Sequence, residues 1–469
     1  MALNPADQSF CDRLAALLPE DTLRDPEPRY LEEPRGRWQG VAGVVALPRS
    51  TEEVSTILRV CSSEKVPVVP YAGGTGLVGG QVCPEGPAPL LLSLERMTEI
   101  LRCDPSENVL VAQAGAILDD LHQAAENIDR LFPLSIASSG TARIGGNLGT
   151  NAGGSNVLRY GNARDLCLGL EVVLPDGRIW NGLTRLRKDN TGYDLSDLMI
   201  GSEGTLGVIT AASLKLFPRP GHYATALLEV PSPTHALDLL ALVRSHVGDS
   251  VSAFELLSGE GLRFLDATLP DLRIPFSSRP DWSVLLDLGL FEDSGDRLLE
   301  EILTSAMERE LVTDGLIAQS ESQRQSFWDL RENIPTANRL IGAIASHDIS
   351  VPLSHVPTFI QQASEALQEI ADIRINCFGH LGDGNLHFNV FPAKGKHKDD
   401  YKDQRAGFSR LVHDLVHTHD GSFSAEHGVG RLKTADLERY GDPVKLQMMR
   451  AVKTTLDPAG IMNPGVIFT

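Results

Sequence analysis

Pro70-Tyr71-Ala72-Gly73-Gly74-Thr75-Gly76-Leu77-Val78-Gly79-Gly80 is the stretch on which the fold turns. Gly74, Gly76 and Gly79 satisfy the dinucleotide pattern G-x-G-x-x-G, the apolar run Val66-Pro-Val-Val-Pro70 before them reads as a strand, and an acid, Glu95, follows about twenty residues later. A Rossmann site needs those glycines to open a helix whose N-terminus meets the pyrophosphate. Here Gly80, Pro84, Gly86, Pro87 and Pro89 come next, and no helix of useful length fits among them. What remains is a glycine-rich loop, whose backbone N–H groups can still cradle a diphosphate as an anion-binding nest.

Two more clusters lie downstream. Gly140-Thr141-Ala-Arg-Ile-Gly145-Gly146-Asn147-Leu-Gly149-Thr150-Asn151-Ala-Gly153-Gly154-Ser155 interleaves six glycines with Thr and Asn, offering bare backbone and short polar groups along which a flat heteroaromatic ligand can lie. Gly201-Ser-Glu203-Gly204-Thr-Leu-Gly207-Val-Ile209-Thr210 repeats the device. One cluster is equally well explained by tight turns; three within about 140 residues point to a large anionic cofactor.

The surrounding sequence has an α/β pattern. Residues 41–47 read as a buried strand, Ser50 with Glu53 as a capping box, and Val54, Ile57, Leu58 and Cys61 recur at helical spacing. Strands over 90–94 and 109–113, a helix over 117–126 and a hairpin at Pro175-Asp176-Gly177 follow. After Phe217-Pro-Arg-Pro-Gly221 glycine thins out, and strands (224–230, 283–289) alternate with amphipathic helices (236–247, 297–309), which predicts a second α/β domain.

Composition narrows the classes. A chain of 469 residues with 42% hydrophobic content has the size of two or more domains. Its 62 acidic and 42 basic residues give a net charge of −20, which repels phosphate backbones and anionic membranes and excludes nucleic acid as a partner. The first residues carry no signal or transit pattern and no apolar run reaches about 18 residues, so the expectation is a cytoplasmic protein without an integral membrane segment. The six cysteines are scattered without a C-x-x-C pair and read as small buried hydrophobes, not as a disulfide framework or an iron–sulfur site.

The protonatable groups gather late, nine of the 13 histidines lying beyond Ser346. His380-Leu-Gly-Asp-Gly-Asn-Leu-His387-Phe-Asn389 is answered by Ala425-Glu426-His427-Gly428. His380 and His387 are seven apart, which on a regular strand would set them on opposite faces, but Gly382-Asp383-Gly384 can fold the segment back. With Glu426 they would form a two-His, one-carboxylate metal site with open positions. A rival pair, His413-Asp-Leu-Val-His417, has the i, i+4 spacing of a helical zinc site, but Asp stands where a metalloprotease has Glu. Phe408, Leu411, Val412, Leu415 and Val416 already supply a packed face, so exposed or capping histidines are expected there.

Pro70-Tyr-Ala-Gly-Gly-Thr-Gly76, Gly149-Thr-Asn-Ala-Gly-Gly154, Gly201-Ser-Glu-Gly-Thr-Leu-Gly207 and Leu456-Asp-Pro-Ala-Gly-Ile-Met-Asn463-Pro together resemble the vanillyl-alcohol oxidase type of FAD enzymes. Within that type the chain is similar to the D-2-hydroxyacid dehydrogenases, such as the D-lactate, glycolate and D-2-hydroxyglutarate enzymes, from about Gly40 to Asn463. The resemblance implies an α/β (α+β) architecture: an N-terminal helical extension (1–37), a two-part FAD-binding domain (38–218), an α/β substrate or cap domain (219–425) and a C-terminal segment (426–469) closing the active site. It implies that 71–80 grips the FAD pyrophosphate, with Tyr71, Ala72, Gly73, Gly74, Thr75, Gly76, Leu77 and Gly80 in contact. Gly140, Thr141, Gly145, Gly146, Asn147, Thr150, Asn151, Gly153 and Gly154 would line the flavin and its ribityl chain. Glu203, Gly204, Gly207 and the backbone of Ile209 would approach from the other side, and Asn463 would return near the ring. No histidine lies in these clusters, so non-covalent FAD is expected.

The same resemblance implies a divalent metal on His380, His387 and Glu426, with zinc favoured beside a flavin that already handles the electrons and manganese or iron left open. It implies His427 as the base and Arg331, in Trp328-Asp-Leu-Arg331-Glu-Asn-Ile-Pro335, as the carboxylate-binding cation, with Asn389 assisting. Relatives specific for 2-hydroxyglutarate are expected to carry a lysine where Ser346 stands, so a monocarboxylic substrate such as lactate gains ground here. The implied activity is oxidation of a D-2-hydroxyacid to the 2-oxoacid, the electrons passing to a separate electron-transfer flavoprotein or quinone-linked acceptor; a homodimer is compatible with this. Two rival classes are a non-catalytic FAD-binding subunit of a glycolate-oxidase-like complex, which needs no metal set, and a metal-dependent hydrolase, which needs no glycine clusters.

Overall fold

The computed structural model describes residues 2–291 and 295–468, and the chain divides into two units. One comprises Met1–Gly153, Asn162–Pro218 and His427–Thr469, the other Gly154–Gly161 and Arg219–Glu426.

The first unit is built on two main sheets. In the smaller, Val44–Ala46 and Val68–Tyr71 run parallel on either side of Leu90–Ser93. Val44–Ala46 and Leu90–Ser93 are buried throughout, which is why, the closing Ser93 apart, their sequences are apolar runs with no alternation. The intervening helix, Thr51–Glu64, buries Val54, Ile57, Leu58 and Cys61. Ser50 Oγ accepts from the Glu53 N–H at 3.3 Å, but the Glu53 carboxylate accepts from the Arg49 N–H, one residue short of the reciprocal capping box that the spacing predicts. Leu23–Arg24 adds an antiparallel edge strand on Val44–Ala46, so the first 37 residues are not wholly helical; two residues are too few to show a periodicity. The larger sheet is antiparallel, in the order Ile100–Asp104, Val109–Gln113, Val208–Lys215, Cys167–Val173, Ile179–Gly182. The last two strands are the hairpin turned at 175–177.

The second unit is a seven-stranded antiparallel sheet with helices on both faces. Its order is Asp314–Ile317, His222–Glu229, Trp282–Leu290, Val251–Ser258, Ile373–His380, Asn385–Pro392, Ala345–Ser350. Phe254, Leu256, Phe388 and Val390 share one core with helices Pro233–Val247, Gly295–Glu308, Val356–Ile370 and Arg405–Thr418. Ala253, Leu257, Phe378 and Phe391 share the other with Gly259–Thr268 and Glu321–Ile341. Strand alternation assigns Glu255, His380, His387 and Asn389 to this second face.

Two expectations need correction. His413 is buried, edge to face with His347 at 5.4 Å between ring centroids, so it is a packed core histidine and not an exposed or capping one. Only Cys61, Cys83 and Cys377 are buried; Cys11, Cys103 and Cys167 are half-buried, and all six are free thiols. Among the described residues no helix is long and apolar enough to cross a membrane.

Candidate functional site

The first unit contains a cleft enclosing about 1020 Å³ of space that is partly open to solvent. Its walls are the three glycine clusters. Tyr71, Ala72, Gly73, Gly74, Thr75, Gly76 and Gly80 line it from the first, Gly145, Gly146, Asn147 and Thr150 from the second, and Glu203, Gly204, Gly207 and Ile209 from the third, with Asn463 and His427 arriving from the C-terminal segment. Close backbone approach explains two of the glycines. A Cβ on Gly73 would stand 2.3 Å from the Thr141 carbonyl oxygen, and one on Gly145 would stand 2.7 Å from the Ala114 side chain.

The lining differs in part from the sequence expectation. Leu77, Gly140, Thr141, Asn151, Gly153 and Gly154 are not part of the wall. Thr141 acts from behind, through the carbonyl that crowds Gly73. Gly154 belongs to the second unit, where its N–H donates to Glu426 Oε1 at 2.7 Å. Gln81, Arg143 and Ser202 also line the cleft; Gln81 directly follows the first glycine cluster and the other two lie inside the second and third, but none of them was singled out as a ligand contact. Gln81 Nε2 braces the first loop by donating to the Gly76 carbonyl at 2.7 Å.

The walls suit a polar ligand. Asn147 Oδ1 and Asn463 Oδ1 are buried acceptors without a hydrogen-bond partner, and an unmatched buried acceptor costs about 1–3 kcal/mol. Asn463 Nδ2 is committed to the Gly80 and Glu203 carbonyls at 2.9 and 2.8 Å, so only its oxygen is left to meet a bound group. Glu203 presents its carboxylate to the chain after His427, accepting from Val429 N–H at 2.8 Å and Gly430 N–H at 2.7 Å. Burial pushes its carboxyl up and these amides pull it back.

In the second unit a ring of charged and polar groups converges on one sheet face. The hairpin register pairs Phe378 with His387, and His380, two residues beyond Phe378, shares its face. The short turn Leu381–Asp383 makes this reversal. Ligand atoms of His380, His387 and Glu426 all lie within 4.8 Å of one another, His380 Nε2 being 3.6 Å from Glu426 Oε1. His380 Nδ1 is 2.6 Å from Glu255 Oε1, the carboxylate–histidine arrangement that fixes a metal-binding imidazole with Nε2 outward. The donor set therefore fits a divalent ion of the zinc type.

Glu255 and Asp348 were missed by sequence reasoning. Glu255 accepts from Arg331 Nε at 2.6 Å on its second oxygen and has no solvent exposure. Burial pushes its carboxyl up, but the charges of His380 and Arg331 outweigh this and hold it at about 2. Burial likewise depresses the His380 imidazole, and Glu255 more than offsets it, lifting it to about 9. Asp348 Oδ2 accepts from the Glu426 N–H at 3.0 Å, and its Oδ1 stands 4.0 Å from His387 Nδ1. The one signal for Glu255 was an acid inside Val251-Ser-Ala-Phe-Glu255-Leu-Leu, an otherwise apolar strand. Arg331 is buried and its guanidinium stacks on Phe378 at 5.0 Å. Asn389 is buried on the same sheet face, and exposed Ser346 is its ladder partner on the edge strand.

Comparison with known proteins places these features in a family. Residues 219–467 match the C-terminal domain of FAD linked oxidases, and residues 42–182 match an FAD binding domain. The chain belongs to the FAD-linked oxidases. Within them it falls in the D-2-hydroxyacid dehydrogenase group. It is 38% identical over 457 residues to the mitochondrial D-2-hydroxyglutarate dehydrogenase of Danio rerio, covering 96% of this chain and 83% of the relative. It is 34% identical over 475 residues to the D-2-hydroxyglutarate dehydrogenase of Stutzerimonas stutzeri, covering 98% and 99%. Among solved structures, p-cresol methylhydroxylase with substrate bound aligns with a TM-score of 0.76 at 16% identity over 99% of this chain and 98% of its own, which establishes the vanillyl-alcohol oxidase type of fold. A cytoplasmic location, expected from the N-terminal residues, is overturned: the relatives from Arabidopsis thaliana, Danio rerio and Bos taurus are mitochondrial enzymes by name.

Proposed function

We propose that this FAD-dependent oxidoreductase oxidises a D-2-hydroxyacid to the 2-oxoacid with help from a divalent metal held by His380, His387 and Glu426. The observation that carries the reading is the convergence of those three ligands around an imidazole already oriented by Glu255. Bound FAD would supply the two-electron acceptor for the C2 hydride, and the metal, with zinc favoured, would supply Lewis acidity toward the substrate hydroxyl.

The chain's own residues do the rest. Arg331 binds the substrate carboxylate through its terminal nitrogens, its Nε being engaged with Glu255, and Asn389 adds a hydrogen bond. His427, which lines the flavin cleft, takes the hydroxyl proton as the hydride leaves C2, so one proton and one hydride are removed and a 2-oxoacid remains. Gly145, Gly146, Asn147 and Asn463, which line the cleft, would hold the flavin by backbone approach and amide contacts, without a covalent tether. A separate acceptor, an electron-transfer flavoprotein or a quinone-linked partner, then removes the electrons.

Two observations favour different substrates. The relatives are named for D-2-hydroxyglutarate, which brings that acid to this chain as a candidate. Ser346, uncharged beside Asn389, supplies no cation for a second carboxylate and favours a monocarboxylic acid of the lactate kind. Anaerobic mixing of the FAD-loaded protein with D-lactate, D-2-hydroxyglutarate and their L-enantiomers tests both. Bleaching of the flavin band by a D-acid alone is expected, and bleaching by none of the panel would sink the proposal.

A further inference from the structure

We propose that Glu255 is a positioning residue, one carboxylate that sets the orientation of both His380 and Arg331. The proposal rests on the roles given above to those two groups, but its basis is a separate set of contacts. Glu255 lies in Val251–Ser258, a strand buried at every position near the middle of the seven-stranded sheet. A lone carboxylate there would be expensive, and the sheet places its partners: the ladder pairs Glu255 directly with His380 on the neighbouring strand. Arg331 comes from the helix Glu321–Ile341 that covers this face.

Each oxygen has one task. Oε1 meets His380 Nδ1 and Oε2 meets Arg331 Nε, both at 2.6 Å. An ionised carboxylate can only accept, so in the neutral imidazole that metal ligation requires the proton of His380 is held at Nδ1 and the lone pair at Nε2, the nitrogen facing Glu426. Holding Arg331 by Nε leaves its two terminal nitrogens outside the pair, and the Phe378 ring beneath the guanidinium, itself 4.9 Å from the His387 ring, fixes its plane. The same carboxylate thereby sets the lateral spacing between the imidazole and the guanidinium.

A Gln at this position separates steering from mere packing. Arg331 Nε–H still needs an acceptor, so the amide oxygen turns to it and the amide NH₂ faces His380 Nδ1. The imidazole must then accept at Nδ1 and carry its proton on Nε2, where it blocks ligation. The test compares wild type, Glu255→Gln and Glu255→Asp as full-length FAD-loaded proteins, with Zn²⁺ affinity read by competition against a chromophoric chelator. We expect Zn²⁺ affinity about 10- to 100-fold weaker in Glu255→Gln, partial recovery in Glu255→Asp, and unchanged FAD content. Wild-type Zn²⁺ affinity in a folded Glu255→Gln overturns the proposal. If that variant does not fold, Glu255→Asp decides, with a loss of less than about threefold counting against it. A wild-type protein that binds no Zn²⁺ would fail the metal reading and not this one, which is then judged on substrate binding. With whichever of D-lactate or D-2-hydroxyglutarate bleaches the flavin, Glu255→Gln should raise KM about tenfold through Arg331, and an unchanged KM overturns it.

Discussion

The flavin cleft and the histidine cluster are built by opposite means. In the first unit the backbone does the work: glycines strip the walls so that amides and short side chains reach a large cofactor, and the wall residues come from short local stretches within 70–81, 143–150 and 202–209. In the second unit side chains do the work, and Glu255, Arg331, His380, His387 and Glu426 span more than 170 residues before a hairpin, a strand ladder and a helix bring them together. A backbone site tolerates side-chain change except where space is filled; a side-chain site fails atom by atom.

The strongest test of that contrast removes one ligand. His380→Ala, or chelation of the wild type, should reduce turnover by about three orders of magnitude, within the range that a lost acid/base or Lewis-acid function gives, while the flavin spectrum and FAD stoichiometry stay unchanged. Steady-state rates and absorbance on the same sample check it. Loss of FAD in His380→Ala would show that the two sites are not separable. The converse substitution is Gly73→Val: its Cβ would stand 2.3 Å from the Thr141 carbonyl oxygen, so the loop must move and the protein should purify without bound FAD while retaining Zn²⁺ affinity.

Arg331→Met comes next, and it should do two things at once. The substrate carboxylate loses its partner, and Glu255 is left with an unpaired oxygen in a buried strand, which costs about 3–5 kcal/mol. A rise in KM with a large drop in thermal stability is expected. A rise in KM with no change in melting would mean that Glu255 is compensated by another group.

How much of this the sequence disclosed follows from the same contrast. The glycine clusters were legible because backbone binding leaves contiguous signatures, and the missing helix after Gly80 was enough to reject a Rossmann site. The reversal between His380 and His387 was legible because Gly382-Asp383-Gly384 names a turn. Glu255 and Asp348 were not, since each acts through a partner more than 70 residues away and register across a seven-stranded sheet is not a local property. Packing hid His413 in a similar way: its helical position looked peripheral until His347 closed over it from the sheet. The antiparallel character of the second sheet was likewise hidden, because alternating strand and helix patterns read the same for either direction.

Ser346→Lys should have a smaller effect, confined to selectivity. A cation beside Asn389 would favour a substrate with a second carboxylate, lowering KM for D-2-hydroxyglutarate about tenfold relative to D-lactate. Equal KM ratios in the variant and the wild type would remove position 346 from the specificity argument.

The smallest effect is expected from Ser50→Ala. Ser50 Oγ accepts from the Glu53 N–H at the start of Thr51–Glu64, and its loss leaves one helix donor to water at about 1 kcal/mol, or roughly 2–4 °C in Tm for a unit of this size. That helix contacts the strand Cys167–Val173 and its hairpin but gives no residue to the cleft wall. If the cleft is set by the glycine loops and the contacts behind them, Ser50→Ala should lower the melting temperature of the first unit and leave FAD affinity, Zn²⁺ affinity and KM as they were. A parallel fall in FAD affinity would mean that the loops take their shape from the helix layer and are not set by their own glycines. The contrast between a backbone-built and a side-chain-built site would then need a third element, the scaffold stiffness that both borrow.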